Sequence, residues 1–149
     1  MTALLMRLNA DVADYNVEPD RAVWLACDLL VAGLDTPALR ELAGESPSRL
    51  EKSEAGALVG QFLAELGIKP MTREEADWFI GREVAWKVLG GAPRAEWEDD
   101  TWRVNIRLAT ESGSDDVFAA AANYDSDSGP YLGFMRDYLR LAEAQLTEW

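Results

Sequence analysis

Apolar residues recur at helical spacing along most of the chain, and this pattern predicts an all-α protein. Side chains three or four positions apart share one face of a helix, so each apolar stripe indicates a face that packs against a core. No internal repeat and no long linker divides the sequence. We therefore predict a single compact all-α domain over residues 1–149, with about six or seven helices, the main ones covering 20–32, 36–44, 53–66, 73–89, 117–124 and 131–146.

Residues that favour helix ends mark several of these boundaries. The helix over 20–32 has Asp20 in position to cap its N-terminus and Gly33 at its end. The next helix has Thr36 as N-cap, Pro37 at the first helical position and Gly44 at the C′ position after its last turn. The sequence thus predicts a short helix between two well-marked ends.

Apolar side chains surround the helix over 20–32 almost completely. Only Arg21 and Asp28 interrupt them, on one narrow strip. A helix that is apolar on nearly every side is typical of a buried position, so we expect this helix to be buried on most sides. The single cysteine, Cys27, belongs to this apolar surface and is expected to be an unreactive core thiol.

The helix over 73–89 carries two apolar faces. One face has Phe79, Ile80, Val84 and Val88, and the opposite face has Trp78, Ala85 and Leu89. Thr72 and Glu75 form a capping box that begins the helix. Two apolar faces predict a central buried helix near 73–89. The spacing of Trp78 and Arg82 also predicts a cation–π contact between them.

Residues 93–109 fit two patterns. Trp102, Val104, Ile106 and Leu108 alternate with polar residues, which favours a strand, whereas the wider spacing of apolar residues also fits a helix. A single strand in an otherwise helical chain has no partner, so we predict a helix here.

The residue types that the chain lacks exclude several kinds of chemistry. It has no histidine and one cysteine. Ser-His-Asp triads and Cys-His pairs need an imidazole, and structural zinc sites need several Cys or His ligands. One cysteine forms no internal disulfide, which fits a reducing compartment. We expect no cofactor and no bound metal.

The net charge bears on partners and location. There are 14 basic and 27 acidic residues, which gives a net charge of −13. Binding of phosphate groups needs a basic surface, so we expect no direct contact with nucleic acid and none with anionic membranes. The first apolar residues lack a basic region before them and are soon followed by Asp11 and Asp14. We therefore predict no signal peptide and a cytoplasmic location.

Acidic residues are concentrated between positions 96 and 127. Nine acids and two bases lie there, so −7 of the net −13 belongs to this segment. Aromatic rings among carboxylates are typical of a surface that binds a basic protein. We assign partner binding to a candidate patch of ten residues: Trp97, Glu98, Asp99, Asp100, Trp102, Asp115, Asp116, Tyr124, Asp125 and Asp127. The alternative is that the tryptophans belong to the core and the acids only solvate the surface.

One part of this segment resembles a calcium-binding loop. Asp125, Asp127 and Gly129 match the opening of an EF-hand. The match fails at position 6, where Pro130 replaces glycine, and at position 12, where Arg136 replaces a bidentate glutamate. We interpret the segment as an Asx turn before a helix.

The tract Leu30–Gly44 resembles a segment found in small, mostly uncharacterised helical proteins of high-GC actinobacteria. The Ala-rich, Arg-rich and Lys-poor composition is similar in character. The resemblance covers about a tenth of the chain. It implies a small bacterial helical protein and carries no catalytic residue and no activity.

Together these features predict a non-enzymatic inhibitor of the immunity or antitoxin type, whose candidate patch binds a basic protein such as a toxin or nuclease. One alternative is an enzyme that uses carboxylates and Mg²⁺, or a helical small-molecule sensor with a pocket between its Trp-bearing helices. Its sequence basis is three carboxylate pairs: Glu74–Glu75, Asp99–Asp100 and Asp115–Asp116. The other alternative is an assembly subunit, for which the oligomeric state in solution is the test.

Overall fold

The computed structural model describes residues 2–101, 104 and 129–149, and every regular element in these ranges is helical. The α-helices of this part are α1 (Thr2–Ala13), α2 (Pro19–Val31), α3 (Pro37–Gly44), α4 (Lys52–Glu65), α5 (Arg73–Leu89) and α6 (Gly129–Gln145). Two short 3-10 helices, Arg94–Glu96 and Glu98–Asp100, follow α5. The prediction of an all-α fold is confirmed. The predicted helix over 117–124 and the loop at Asp125 lie outside the described residues.

Contacts divide the chain into two compact units, Met1–Ala76 and Asp77–Trp149. The boundary falls inside α5, which begins in the first unit and continues into the second. The prediction of a single domain stays a prediction.

The first unit has one apolar core built by α1 to α4. In it α3 packs against both α2 and α4, and α4 also packs against α1. Leu39, Leu42, Val59 and Phe62 are fully buried at its centre. Burial of a side chain of this size contributes about 1.5–3 kcal/mol, so these contacts set the relative positions of the four helices.

Asn9 fastens α1 to the segment before α5. Its side chain is buried, its Nδ2 donates to the carbonyl of Lys69 at 2.8 Å, and its Oδ1 accepts from the N–H of Met71 at 3.0 Å. Since both ends of the amide have main-chain partners, the buried polar group is satisfied.

The predicted N-terminal caps of α3 and α5 are confirmed. Thr36 Oγ1 accepts from the N–H of Leu39 at 3.2 Å. Thr72 and Glu75 form the expected capping box, with distances of 2.7 and 3.1 Å. A further cap comes from another helix, because the carboxylate of Glu65 on α4 accepts from the N–H of Ala38 at 3.1 Å.

Two predicted helix ends are wrong. Asp20 lies inside α2, whose N-cap is Glu18 and whose first residue is Pro19, because proline needs no partner for a main-chain N–H there. Gly44 is the last residue of α3, and the chain becomes extended at Glu45. Gly44 therefore does not occupy the C′ position that was predicted for it.

Four helices end in the same backbone motif, with one residue in the left-handed region. Glycine holds this place after α2, α4 and α5, at Gly33 (φ 95°), Gly67 (φ 75°) and Gly91 (φ 75°), and Tyr15 (φ 56°) holds it after α1. In each case its N–H bonds the carbonyl three residues earlier, and the next N–H bonds the carbonyl five residues earlier. These two bonds define a Schellman motif, whose left-handed position glycine fills with least strain.

The second unit pairs α6 with the part of α5 that follows Ala76. Tyr138 is fully buried, its ring lies 5.2 Å from the ring of Trp78, and its hydroxyl donates to the carbonyl of Asp77 at 3.3 Å. Both apolar faces predicted for α5 are buried except at Leu89, which is half-buried. On α6, Phe134, Met135, Tyr138 and Ala142 are buried, whereas Leu141 is exposed.

The predicted contact between Arg82 and Trp78 is wrong. The Arg82 guanidinium instead lies 5.0 Å from the ring centre of Phe79 and 4.9 Å from that of Trp86. Trp78 is turned into the core against Tyr138, so its ring is not offered to the helix surface. Burial lowers the pKa of Arg82 from its ordinary value, and the main-chain oxygen of Trp149 accepts two hydrogen bonds from its guanidinium, at 3.2 and 3.3 Å.

Candidate functional site

The burial predicted for α2 is wrong on one side. Trp24 is 66% exposed and Val31 is 90% exposed, whereas Ala26 and Leu29 on the other side are buried. The covering elements are α3 and α4, which reach only part of the circumference. An apolar side chain is buried only where a neighbour lies against it, so the outer strip of α2 presents an indole to solvent.

A groove lies beside Trp24, between α1 and α2. It has a volume of about 360 Å³, and its apolar wall includes Leu4, Leu8, Trp24 and Leu25. We call it the acidic groove, because its charged lining residues are Asp11, Glu18, Asp20 and Asp28 against Arg7 and Arg21. Four acids against two bases leave two negative charges, and the Lys52 ammonium that pairs with Glu18 reduces this excess to one.

Local contacts hold several of these charged groups in place. Arg7 Nε donates to Asp11 Oδ1 at 3.0 Å, one turn along α1. Asp20 Oδ1 accepts from the N–H of Arg21 at 2.8 Å, in the first turn of α2. Glu18 pairs with the ammonium of Lys52. The rim of the groove is therefore an ordered set of charges around an exposed aromatic ring.

The candidate patch of the second unit differs from the prediction at its aromatic residue. Trp97 is only 2% exposed, and its Nε1 donates to the carbonyl of Ala92 at 3.2 Å. The buried Thr101 hydroxyl donates to the carbonyl of Trp97 at 3.1 Å. Trp97 therefore packs inside the unit and cannot serve as an anchor in a partner, which corrects its assignment.

The acids next to Trp97 remain at the surface. Glu98 and Asp99 are exposed, and Asp100 is half-buried. Arg94 Nε lies 3.0 Å from Glu98 Oε2, and Lys87 Nζ donates to the carbonyl of Glu96 at 3.1 Å. We call residues 96–100 the acidic turn, which is acidic but has two bases bound to it.

The predicted helix over 93–109 needs correction in its first half. Residues 94–96 and 98–100 form separate 3-10 turns, and α-helical backbone begins only at Thr101. Six members of the candidate patch lie outside the described residues: Trp102, Asp115, Asp116, Tyr124, Asp125 and Asp127.

Trp24 was missed in the sequence, although a signal for it exists. Arg21, Trp24 and Asp28 are three and four residues apart, so they lie on one strip of α2. Charged residues favour contact with water, so this spacing made the tryptophan between them a candidate for the same exposed strip.

The described residues hold no group of three or more His, Cys, Asp or Glu side chains arranged to bind a metal ion. Within the same part of the chain, no helix is long and apolar enough to cross a membrane.

Comparison with known proteins gives no family for this chain. No protein-family model, no curated protein and no solved structure matches it. The resemblance of Leu30–Gly44 to actinobacterial helical proteins stays a prediction.

Proposed function

We propose that the protein is a non-enzymatic inhibitor of the immunity or antitoxin type, and that it binds a basic protein partner through the acidic groove. The observation that carries the proposal is the exposed indole of Trp24 at an acidic groove of about 360 Å³. A large exposed aromatic ring next to an apolar concavity is typical of a protein-binding surface, because tryptophan supplies much of the binding energy in such interfaces.

The size and lining of the groove favour a partner side chain. A volume of about 360 Å³ is at the small end of the range for ligand sites, which run from about 300 to 1,000 Å³. Leu4 and Leu25 line it beside Trp24, so it suits one or two apolar side chains. The excess of carboxylates favours Lys or Arg beside them, since opposite charges speed association and reject acidic partners.

The inhibitor role follows from the kind of partner that such a surface selects. Proteins that act on nucleic acid carry basic surfaces, because they must neutralise phosphate groups. An acidic protein that covers such a surface blocks access of the substrate. The exposed acids of the acidic turn add to the net negative charge of the protein, which attracts a basic partner over long distances.

Capture of the partner from native cells tests this proposal. Tagged wild-type protein and the variants Trp24→Ala and Asp28→Lys are used as bait, and captured proteins are identified by mass spectrometry. We expect one dominant basic protein, bound in fixed stoichiometry by the wild type and lost with either variant. The purified partner should lose its own enzymatic or toxic activity when the wild type is added.

Two controls separate the groove from general acidity. Val31→Ala removes an apolar side chain that is exposed on α2 but absent from the groove, so it should leave capture unchanged. Reversal of Glu98, Asp99 and Asp100 to lysine should slow association at low salt and leave the bound complex intact. Capture that survives Trp24→Ala and is abolished by the triple reversal contradicts the groove and favours the acidic turn.

A further inference from the structure

A second concavity of the first unit lies between the end of α1 and the start of α4. It has a volume of about 530 Å³ and is lined by Val12, Tyr15, Val17, Lys52, Ser53, Gly56 and Ala57. Most of this lining is apolar, and Lys52 is its only charged residue. A mainly apolar cavity with a few polar groups is the usual form of a small-molecule site. We call it the Tyr15 cavity.

The backbone conformation of Tyr15 is unfavourable for its residue type. Tyr15 has φ 56° at the end of α1, in the position that glycine occupies after α2, α4 and α5. A side chain in this conformation clashes with its own carbonyl, which glycine avoids. Tyr15 is also 83% exposed, so its ring gains little from core packing. Strain that packing does not offset is often found at functional sites.

Lys52 supplies the polar chemistry of the cavity. Its ammonium pairs with Glu18, and Asn16 Oδ1 accepts from it at 3.4 Å. An ammonium has three N–H donors, so a third donor serves an anionic or carbonyl oxygen of a ligand. Gly56 and Ala57 on α4 leave room, and a Cβ added at Gly56 would meet nothing within 4 Å.

We propose that the Tyr15 cavity binds a small aromatic monocarboxylate, with the ring against Tyr15 and the apolar wall and with the carboxylate on Lys52. The aromatic body is favoured because flat rings stack well on an exposed phenol ring, and a carboxylate oxygen can accept the Lys52 N–H that Glu18 and Asn16 do not use. The cavity adjoins the acidic groove, since Val17 lines both and Lys52 pairs with Glu18 of the groove, but the proposal does not depend on the proposed partner.

Calorimetric titration with 2-naphthoate tests the assignment. Saturable binding to the wild-type protein is expected, with at least tenfold weaker binding of 2-naphthamide. Tyr15→Gly should weaken 2-naphthoate binding about tenfold and raise the melting temperature by roughly 2–4 °C, because glycine relieves the left-handed strain. If Tyr15 had only a structural role, Tyr15→Gly would not both stabilise the protein and weaken the binding of 2-naphthoate.

Three further variants locate the ligand. Tyr15→Phe keeps the ring and should retain wild-type affinity. Gly56→Leu fills the cavity and should abolish binding while the helical circular dichroism stays unchanged. Lys52→Gln should remove the preference for the carboxylate over the amide. No saturable binding of 2-naphthoate to the wild type overturns the proposal, as does unchanged affinity in Tyr15→Gly or Gly56→Leu.

Discussion

Trp24 and Trp97 have similar neighbours in the sequence and opposite environments in the structure. Trp24 has Asp20 and Asp28 one turn before and after it, and Trp97 is flanked directly by Glu96 and Glu98. Yet Trp24 is 66% exposed, whereas Trp97 is 2% exposed. Charged neighbours therefore do not decide whether an aromatic ring is at the surface. The packing elements that reach its face decide it.

The two tryptophans also differ in what surrounds their rings. In Trp97 the N–H donates to Ala92, so the ring is fixed at both its apolar and its polar part. Trp24 lines an open groove with charged side chains around it. A buried ring stabilises its unit, and an exposed ring is available to a partner. The same residue type thus contributes to stability in the second unit and to recognition in the first.

Replacement of each tryptophan by alanine gives the largest expected difference between the two regions. Trp97→Ala removes a buried ring and should lower the free energy of unfolding by about 3–5 kcal/mol. Trp24→Ala removes a mostly exposed ring and should lower it by about 1 kcal/mol or less. Urea unfolding followed by circular dichroism measures both. Equal losses in the two variants would mean that Trp24 is as deeply packed as Trp97, and the groove would lose its anchor.

The same contrast explains what the sequence could predict. The capping box of Thr72 and Glu75 and the N-cap at Thr36 were predictable, because their partners lie three residues away. The exposure of Trp24 had one signal, its place on the same strip of α2 as Arg21 and Asp28, whereas the burial of Trp97 depends on loop packing, which periodicity does not report. The candidate site was predicted as an acidic aromatic surface, but its described aromatic residue proved to be buried.

Substitution of two helical glycines, Gly81 in the second unit and Gly56 in the first, tests how closely other side chains pack against each helix. A Cβ at Gly81 would lie 1.9 Å from Tyr138 Oη and 2.5 Å from Cζ, and Tyr138 is fully buried and cannot move aside. Gly81→Ala should therefore destabilise the protein by about 1–3 kcal/mol. Gly56→Ala has open space around its Cβ and should stabilise it by roughly 0.5–1 kcal/mol, because alanine favours the helix.

Thermal unfolding of the two glycine variants checks these signs. Gly44→Ala is the matched control for Gly56→Ala, since Gly44 is also helical and open but lies outside the Tyr15 cavity. Both should gain stability. If Gly81→Ala is as stable as the wild type, Tyr138 can move away from α5. The contact between Tyr138 and α5 would then not be tightly packed.

Substitution of Glu65 has the smallest expected effect on stability. It distinguishes an acid that stabilises the end of a helix from acids that bind a partner. The hydrogen bond from the Thr36 side chain, followed by that from the Ala38 N–H, lowers the pKa of Glu65 below its ordinary value of 4.5. Because the folded state favours the ionised carboxylate, this contribution to stability is present above pH 4.5 and is lost as the pH falls through the lowered pKa. Glu65→Gln should therefore be slightly less stable than the wild type at pH 7.

The pH dependence of urea unfolding checks this sign. The difference between Glu65→Gln and the wild type should shrink as the pH falls below 4.5 and vanish once Glu65 is protonated in the folded protein. Glu41→Gln removes an exposed acid of α3 and serves as the control for net charge. If both variants show the same pH dependence, the effect is one of total charge, and the cap that Glu65 gives to α3 adds nothing specific. If only Glu65→Gln converges with the wild type, Glu65 acts through the cap that it gives to α3.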